Sequence, residues 1–131
     1  MKVLLWFTLC VGLTVCGCAL SGTVVDKSEH RAELKKVKLQ KYPALKVYCG
    51  GVRRELPLKV VKTCSIDPSV TTAVDGELYL GAQIELSDGS SLGASDKGTC
   101  FISADNGLVG RSDHGRYSVT FENVSSFTIG K

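Results

Sequence analysis

Cysteine is the residue type with the most chemistry to offer in this chain of 131 residues, which contains six of them. Two stand one residue apart in Cys16-Gly17-Cys18, at the end of an apolar run. Redox-active pairs use a Cys-x-x-Cys spacing, and a zinc site needs four ligands, which no second pair nearby supplies. The pair therefore indicates processing of the chain rather than redox or metal chemistry.

The apolar run before this pair has the dimensions of a signal peptide. It follows Met1-Lys2 and continues for thirteen uncharged residues, from Val3 to Val15. A membrane-spanning helix needs about 20 residues, whereas the apolar part of a secretory signal needs about 7–15. The sequence thus predicts an exported protein, in which a disulfide is expected.

The segment Val15-Cys16-Gly17-Cys18 resembles a bacterial lipobox, in which an aliphatic, a middle and a small residue precede a cysteine. The resemblance covers residues 1–18 and implies a signal peptide over 1–17, cleavage before Cys18, and acylation of its sulfur. Two or more acyl chains hold a protein stably on a bilayer. Ala19 resembles the residue choice that permits transfer to the Gram-negative outer membrane, facing the periplasm. Cleavage after Ala19, followed by secretion, is the alternative.

The remaining cysteines bear on how the mature domain is stabilised. They are Cys49, Cys64 and Cys100, so acylation of Cys18 predicts one disulfide and one unpaired cysteine. Cys49 and Cys64 are nearest in sequence, and closing their loop would contribute about 3 kcal/mol. Cys64 with Cys100 is the competing pair, and sequence does not choose between them. An unpaired cysteine is more often a small buried hydrophobe than a nucleophile.

Catalytic patterns are absent from the sequence. His114 stands beside Asp113 and close to Ser112, but the members of a catalytic triad meet through the fold rather than as neighbours in sequence. The chain has no nucleophile elbow, phosphate loop, HExxH motif or zinc-ligand spacing. We therefore expect no catalytic residue, no metal and no cofactor.

Charge is unevenly distributed along the chain. Residues 27–63 carry eleven Lys and Arg against three Glu, a net charge of +8, and residues 64–131 carry four against nine acids, a net charge of −5. Either the two halves neutralise each other in the fold, or a basic surface faces an anionic partner. The contact residues of such a surface would be Lys35, Lys36, Lys38, Lys41, Lys46, Arg53 and Arg54.

Short alternating segments separated by turn residues dominate the chain after residue 36. The clearest is Glu77 to Leu86, in which apolar residues occupy every second position. About seven such strands predict a small single-domain β-sandwich or barrel over 28–131, preceded by a tether over 18–27. Asp26 followed by Glu29 resembles a helix capping box, so a short N-terminal helix is a further expectation.

The functional expectation combines these features. The chain is expected to be an envelope lipoprotein, attached to the membrane through its lipid, that acts by binding, inhibition or assistance in assembly rather than by catalysis. Its partner would be another envelope protein or an anionic envelope polymer; no nucleic-acid recognition motif is present. The alternative is a freely secreted, disulfide-stabilised effector or toxin-like protein.

Overall fold

The computed structural model of the protein describes residues 19–93 and 100–130. In this part of the chain the regular structure is eleven β-strands and short 3₁₀ turns, with no α-helix. The strands are β1 (Ser21–Asp26), β2 (Arg31–Leu39), β3 (Leu45–Cys49), β4 (Val52–Leu56), β5 (Val61–Val74), β6 (Glu77–Leu86), β7 (Ser91–Leu92), β8 (Cys100–Ser103), β9 (Gly107–Ser112), β10 (Gly115–Thr120) and β11 (Val124–Gly130). The expectation of a mostly β protein is confirmed, with more strands than the seven expected.

All eleven strands belong to one antiparallel sheet. Its order is β10-β9-β2-β1-β11-β5-β6-β8-β3-β4, with the short β7 paired beside β6. Across the described residues no ladder joins β10 to β4, so the sheet stays open. Buried side chains from β2 and β9 at one end and from β3 and β8 at the other form a single core cluster. The sheet therefore folds back on itself around one core.

The expected N-terminal helix is wrong, because the segment that suggested it forms a hairpin. The side chain of Asp26 accepts hydrogen bonds from the backbone N–H of Ser28 and of His30, at 2.9 and 3.0 Å. These bonds stabilise a tight turn between β1 and β2, and the chain continues from Arg31 as a strand. Aspartate stabilises such turns by the same side-chain bonding that it uses at helix N-termini.

The first strand occupies most of the segment expected to be a tether. Ser21–Asp26 pairs with β2 on one side and with β11 on the other. The backbone carbonyl of Leu20 also accepts a hydrogen bond from the N–H of Val37, at 2.9 Å. Cys18 itself lies outside the described residues, as do residues 1–17, which hold the expected signal peptide. In the sequence, three residues, 18–20, separate the expected cleavage point from β1.

Two short connections carry the chain between the ends of the sheet, and they are tied together at Asn106. Residues 40–44 link β2 to β3, and residues 104–106 link β8 to β9. The Asn106 side chain is buried, and its Oδ1 accepts hydrogen bonds from the N–H of Lys41 at 3.0 Å and of Gly107 at 2.9 Å. The Asn106 carbonyl accepts the N–H of Phe121 at 3.1 Å. One residue thus bonds three segments of the chain.

The disulfide joins two directly opposite residues of neighbouring strands. Cys49 on β3 and Cys100 on β8 are bonded, with their Cα atoms 4.2 Å apart. Both pairings considered from the sequence, Cys49–Cys64 and Cys64–Cys100, are therefore wrong. A cross-link between residues 51 positions apart contributes about 4 kcal/mol in the chain-entropy model.

Cys64 is the unpaired cysteine of the described residues, and its side chain is fully buried in the core. Burial raises the pKa of the Cys64 thiol to about 12, because an apolar environment disfavours the thiolate. It behaves as a small hydrophobe, as the sequence led us to expect.

We expect replacement of Asn106 by alanine to lower the free energy of unfolding by about 2–3 kcal/mol, because it leaves the buried N–H of Gly107 and the part-buried N–H of Lys41 without an acceptor. Chemical denaturation of the two proteins measures this difference. Asn123→Ala is the matched control, since the Asn123 amide bonds only the exposed Thr120 hydroxyl, at 3.1 Å. Equal losses in the two variants would contradict the role assigned to Asn106.

Cys64 is expected to resist alkylation in the folded protein at alkaline pH and to react once the chain is unfolded. Because the folded thiol has the higher pKa, this group favours the folded state below about pH 9, and its contribution declines as pH rises above that value. Peptide mapping without reduction tests the two assignments, that Cys49 is bonded to Cys100 and that Cys64 is a free thiol. It should recover Cys49 linked to Cys100, and a Cys64 peptide linked to either one would overturn them.

Candidate anion-binding surface

The seven basic residues singled out in the sequence do not form one surface. Lys35, Lys36 and Lys38 lie together on β2, whereas Arg53 and Arg54 lie on the edge strand β4 at the other end of the sheet order. Three of the seven are neutralised by ion pairs with acids of the second half of the chain. These are Lys41 with Asp105 at 2.5 Å, Lys46 with Glu77 at 3.8 Å, and Arg53 with Asp75. The two halves of the chain therefore neutralise each other at these three residues.

The Lys41–Asp105 pair shows how a basic residue is used structurally here. Asp105 accepts bonds from the Lys41 ammonium and, at 3.2 Å, from the Tyr42 hydroxyl. The hydrogen bond and the charge of Asp105 raise the pKa of Lys41, and the hydrogen bonds from Lys41 and Tyr42 lower the pKa of Asp105. The pair lies beside Asn106 and reinforces the contact between the two connections, so Lys41 is not available to a partner.

A β-bulge places the three remaining lysines on the outer face of the sheet. Lys35 pairs with Arg111 and Lys38 with Val109, so β2 has one residue more than β9 between these pairs. The extra residue lets Leu34 and Val37, three positions apart, both point into the core. Strict alternation would put them on opposite faces. The lysines on either side of Val37 consequently all point to solvent.

The bulge has a conformational cost that falls on a lysine. Lys36 has φ of 55°, in the left-handed region that glycine and asparagine favour. A residue with a Cβ pays about 1 kcal/mol there. Gly110 on β9 faces the bulge, where an added Cβ would lie 3.0 Å from the carbonyl oxygen of Lys35. The backbones of β2 and β9 approach closely at the bulge because β9 has a glycine there, Gly110. The strained position on β2 is occupied by a lysine, Lys36.

Two arginines that the sequence analysis missed complete the surface. Arg111 on β9 stands directly opposite Lys35 on β2 and directly opposite Arg116 on β10. All three side chains are exposed, and they form a row across three neighbouring strands. Like charges on directly opposite residues destabilise a sheet. Together with Lys36 and Lys38, these three residues are called the basic cluster below.

The basic cluster has no ion-pair partner in the part of the chain that the structure describes. Within residues 19–93 and 100–130, none of its five members forms an ion pair. The acids closest along the strands are Glu33, two positions before Lys35, and Asp113, in the β9–β10 turn. Four members, Lys36, Lys38, Arg111 and Arg116, surround a shallow hollow of about 310 Å³ that Val109 and Gly110 also line. Such a hollow suits oxyanions better than an apolar ligand.

The residues that could perform acid–base or metal chemistry are dispersed. His114 is exposed in the β9–β10 turn, where its backbone N–H donates to the Ser112 hydroxyl at 3.1 Å. That hydroxyl in turn donates to the carbonyl of Gly115, also at 3.1 Å. No group of three or more His, Cys, Asp or Glu side chains suited to a metal occurs among the described residues. In the same part of the chain, no helix has the length and hydropathy needed to cross a membrane.

Comparison with family models and curated proteins gives no function, so the function has to be inferred from the side chains described above. No family model matches the sequence, and no curated protein is significantly similar to it.

Replacing the central cation of the row, Arg111→Thr, is expected to raise the free energy of unfolding by about 0.5 kcal/mol at low ionic strength. The gain should shrink as salt is added, because salt screens the repulsion that the substitution removes. Denaturation at low and high salt measures it. Arg54→Thr is the control, since Arg54 is an exposed strand residue paired with Val47 rather than with a cation. A loss of stability on replacing Arg111, at either salt concentration, would contradict the repulsion.

Proposed function

We propose that the protein is a lipoprotein of the bacterial cell envelope, held on the outer membrane facing the periplasm, that binds an anionic envelope component without catalysing a reaction. The observation that carries this proposal is the row formed by Lys35, Arg111 and Arg116. A protein that keeps three cations directly opposite one another loses stability, and an anionic partner would restore it.

The membrane tether is supported by the lipobox-like segment that ends at Cys18. Acylation there would leave only Ala19 and Leu20 between the lipid and the first strand. The folded sheet would then lie close to the bilayer rather than at the end of a flexible linker. This placement suits a module whose partner belongs to the envelope itself.

A binding role rather than catalysis is supported by the way the polar side chains are used. The Ser103 hydroxyl is buried and donates to Glu77 at 2.5 Å, and Glu77 also faces Lys46. Asp88 bonds both the backbone N–H and the hydroxyl of Ser90, at 2.9 and 2.6 Å. These groups hold turns and strands in place, whereas no side chain of the basic cluster forms an ion pair with another described residue.

We also favour the sandwich over the barrel as the finer description of the fold. The sheet folds back around one core, but its edge strands β10 and β4 are not paired with each other. A closed barrel would have no such edges. The outer face of β2, β9 and β10 would then be one broad surface of the sandwich, open to a partner.

The second candidate is a freely secreted effector of the same fold. The Cys49–Cys100 disulfide supports an oxidising compartment, which the periplasm and the medium share. The two candidates differ only at the N-terminus of the mature chain, so chemistry at Cys18 distinguishes them.

Intact mass spectrometry of the mature protein is expected to show a chain that begins at Cys18 and carries acyl groups. Cys18→Ala should then move the protein out of the membrane fraction, because the attachment atom is gone. Cys64→Ala is the matched control, since Cys64 is buried in the core and unavailable for acylation. An unmodified mature chain that starts after Ala19 would refute the tether and favour the secreted form.

A further inference from the structure

The geometry points to anionic phospholipid headgroups, in the same membrane that holds the lipid anchor, as the partner of the basic cluster. This inference rests on the proposed function for the anchor and names the component that the proposed function leaves open. It follows from where the chain enters the sheet, from the shape of the cluster, and from what the cluster lacks.

The chain enters the sheet beside the lysines of β2. Ser21 pairs directly with Lys35, and Leu20 is hydrogen-bonded to Val37, the residue between Lys36 and Lys38. Leu20 also packs against the core, so its position is fixed relative to the cluster. Two residues of chain span at most about 7 Å. A lipid on Cys18 would therefore keep the basic cluster within reach of the headgroups around it.

The cluster is broad rather than enclosed. Neighbouring strands lie about 4.8 Å apart, so the row of Lys35, Arg111 and Arg116 extends roughly 10 Å across the sheet. Lys36 and Lys38 widen it along β2. A compact anion in the hollow would contact only some of these charges. A surface of phosphates would face all five together, and each cation close to such a surface strengthens attachment.

The cluster lacks the apolar anchors of a protein interface. Protein partners are held mainly by aromatic and aliphatic side chains buried at the centre of the contact. The exposed large hydrophobic residues in the described part of the chain are Val52, Val70 and Leu78, on β4, β5 and β6, away from β2, β9 and β10. Glu33 and Asp113 stand beside Lys35 and Arg111 at one side of the cluster, but its other charges are all positive. A contact dominated by cations fits a headgroup layer, whose attraction is electrostatic, better than it fits a protein.

The test uses the mature protein as cells produce it, mixed with vesicles of phosphatidylcholine alone or with added phosphatidylglycerol. Amine labelling followed by mass spectrometry reports the accessibility of each lysine. On the anionic vesicles, labelling of Lys35, Lys36 and Lys38 should fall about fivefold or more relative to the neutral vesicles. Lys59, an exposed lysine before β5, should label equally on both. High salt should abolish the protection.

Variants separate the cluster from the anchor. Arg111→Gln with Arg116→Gln should remove the protection of the three lysines while leaving the amount of protein that sediments with neutral vesicles unchanged. Arg53→Gln with Arg54→Gln, on the distant edge strand β4, is the matched control and should keep the protection. Denaturation of both double variants confirms that they are folded.

The outcomes distinguish this inference from the proposed tether. Sedimentation with both vesicle types, but equal labelling on both, would overturn the inference and keep the tether. Sedimentation and protection only with anionic vesicles would overturn the tether and keep anionic headgroups as the partner of the cluster, without an anchor in the same membrane. Protection that needs added envelope protein and never appears on lipid would assign the cluster to a protein and overturn the inference. No sedimentation with either type would overturn both.

Discussion

The amide of Asn106 is the contact on which the rest of the structure depends. Its oxygen bonds the β2–β3 connection at Lys41, and the Asn106 carbonyl bonds the chain at Phe121 as it approaches β11. Those bonds hold two connections side by side while they carry the chain between the ends of the sheet. Gly107 follows because a Cβ there would collide with the carbonyl of Val119. The folded-back sheet, and therefore its single core, requires these two connections to run side by side between its ends.

The course of these two connections also brings the basic cluster together. Because the chain leaves Asn106 to pair with β2 instead of returning along β8, the arginines of β9 and β10 come to lie beside the lysines of β2. The bulge at Lys36 then turns those lysines outward while keeping Leu34 and Val37 in the core. Repulsion across the row and strain at Lys36 both oppose folding. The strain belongs to the bulge that keeps Leu34 and Val37 in the core. The repulsion has no such structural role among the described residues, which is the ground for the proposed binding function.

Local pattern predicted the strands well and their partners poorly. Alternation in Glu77–Leu86 identified β6 and its buried Leu80, Ala82 and Ile84. Leu78, expected on the same buried face, is exposed, and Tyr79, expected on the outer face, is buried. The consecutive strands β8 and β9 do not pair with each other: β8 pairs with β6 and β3, and β9 pairs with β2 and β10. The pairing of the cysteines was predicted wrongly for the same reason. Nearness in sequence suggested Cys49 with Cys64, but strand register places Cys100 opposite Cys49.

The sequence by itself determined the β character of the chain and the surplus of positive charge in its first half, because these depend on composition and on alternation between neighbours. It also contains the segment that predicts export, residues 1–18, which lies outside the described residues. Tertiary structure decided which cations are neutralised and which stand together. Lys41, Lys46 and Arg53 meet acids from the second half, whereas Lys35 meets Arg111, some 76 positions away. Pairing between distant strands depends on the path of the connections between them, and a local sequence pattern does not predict that path.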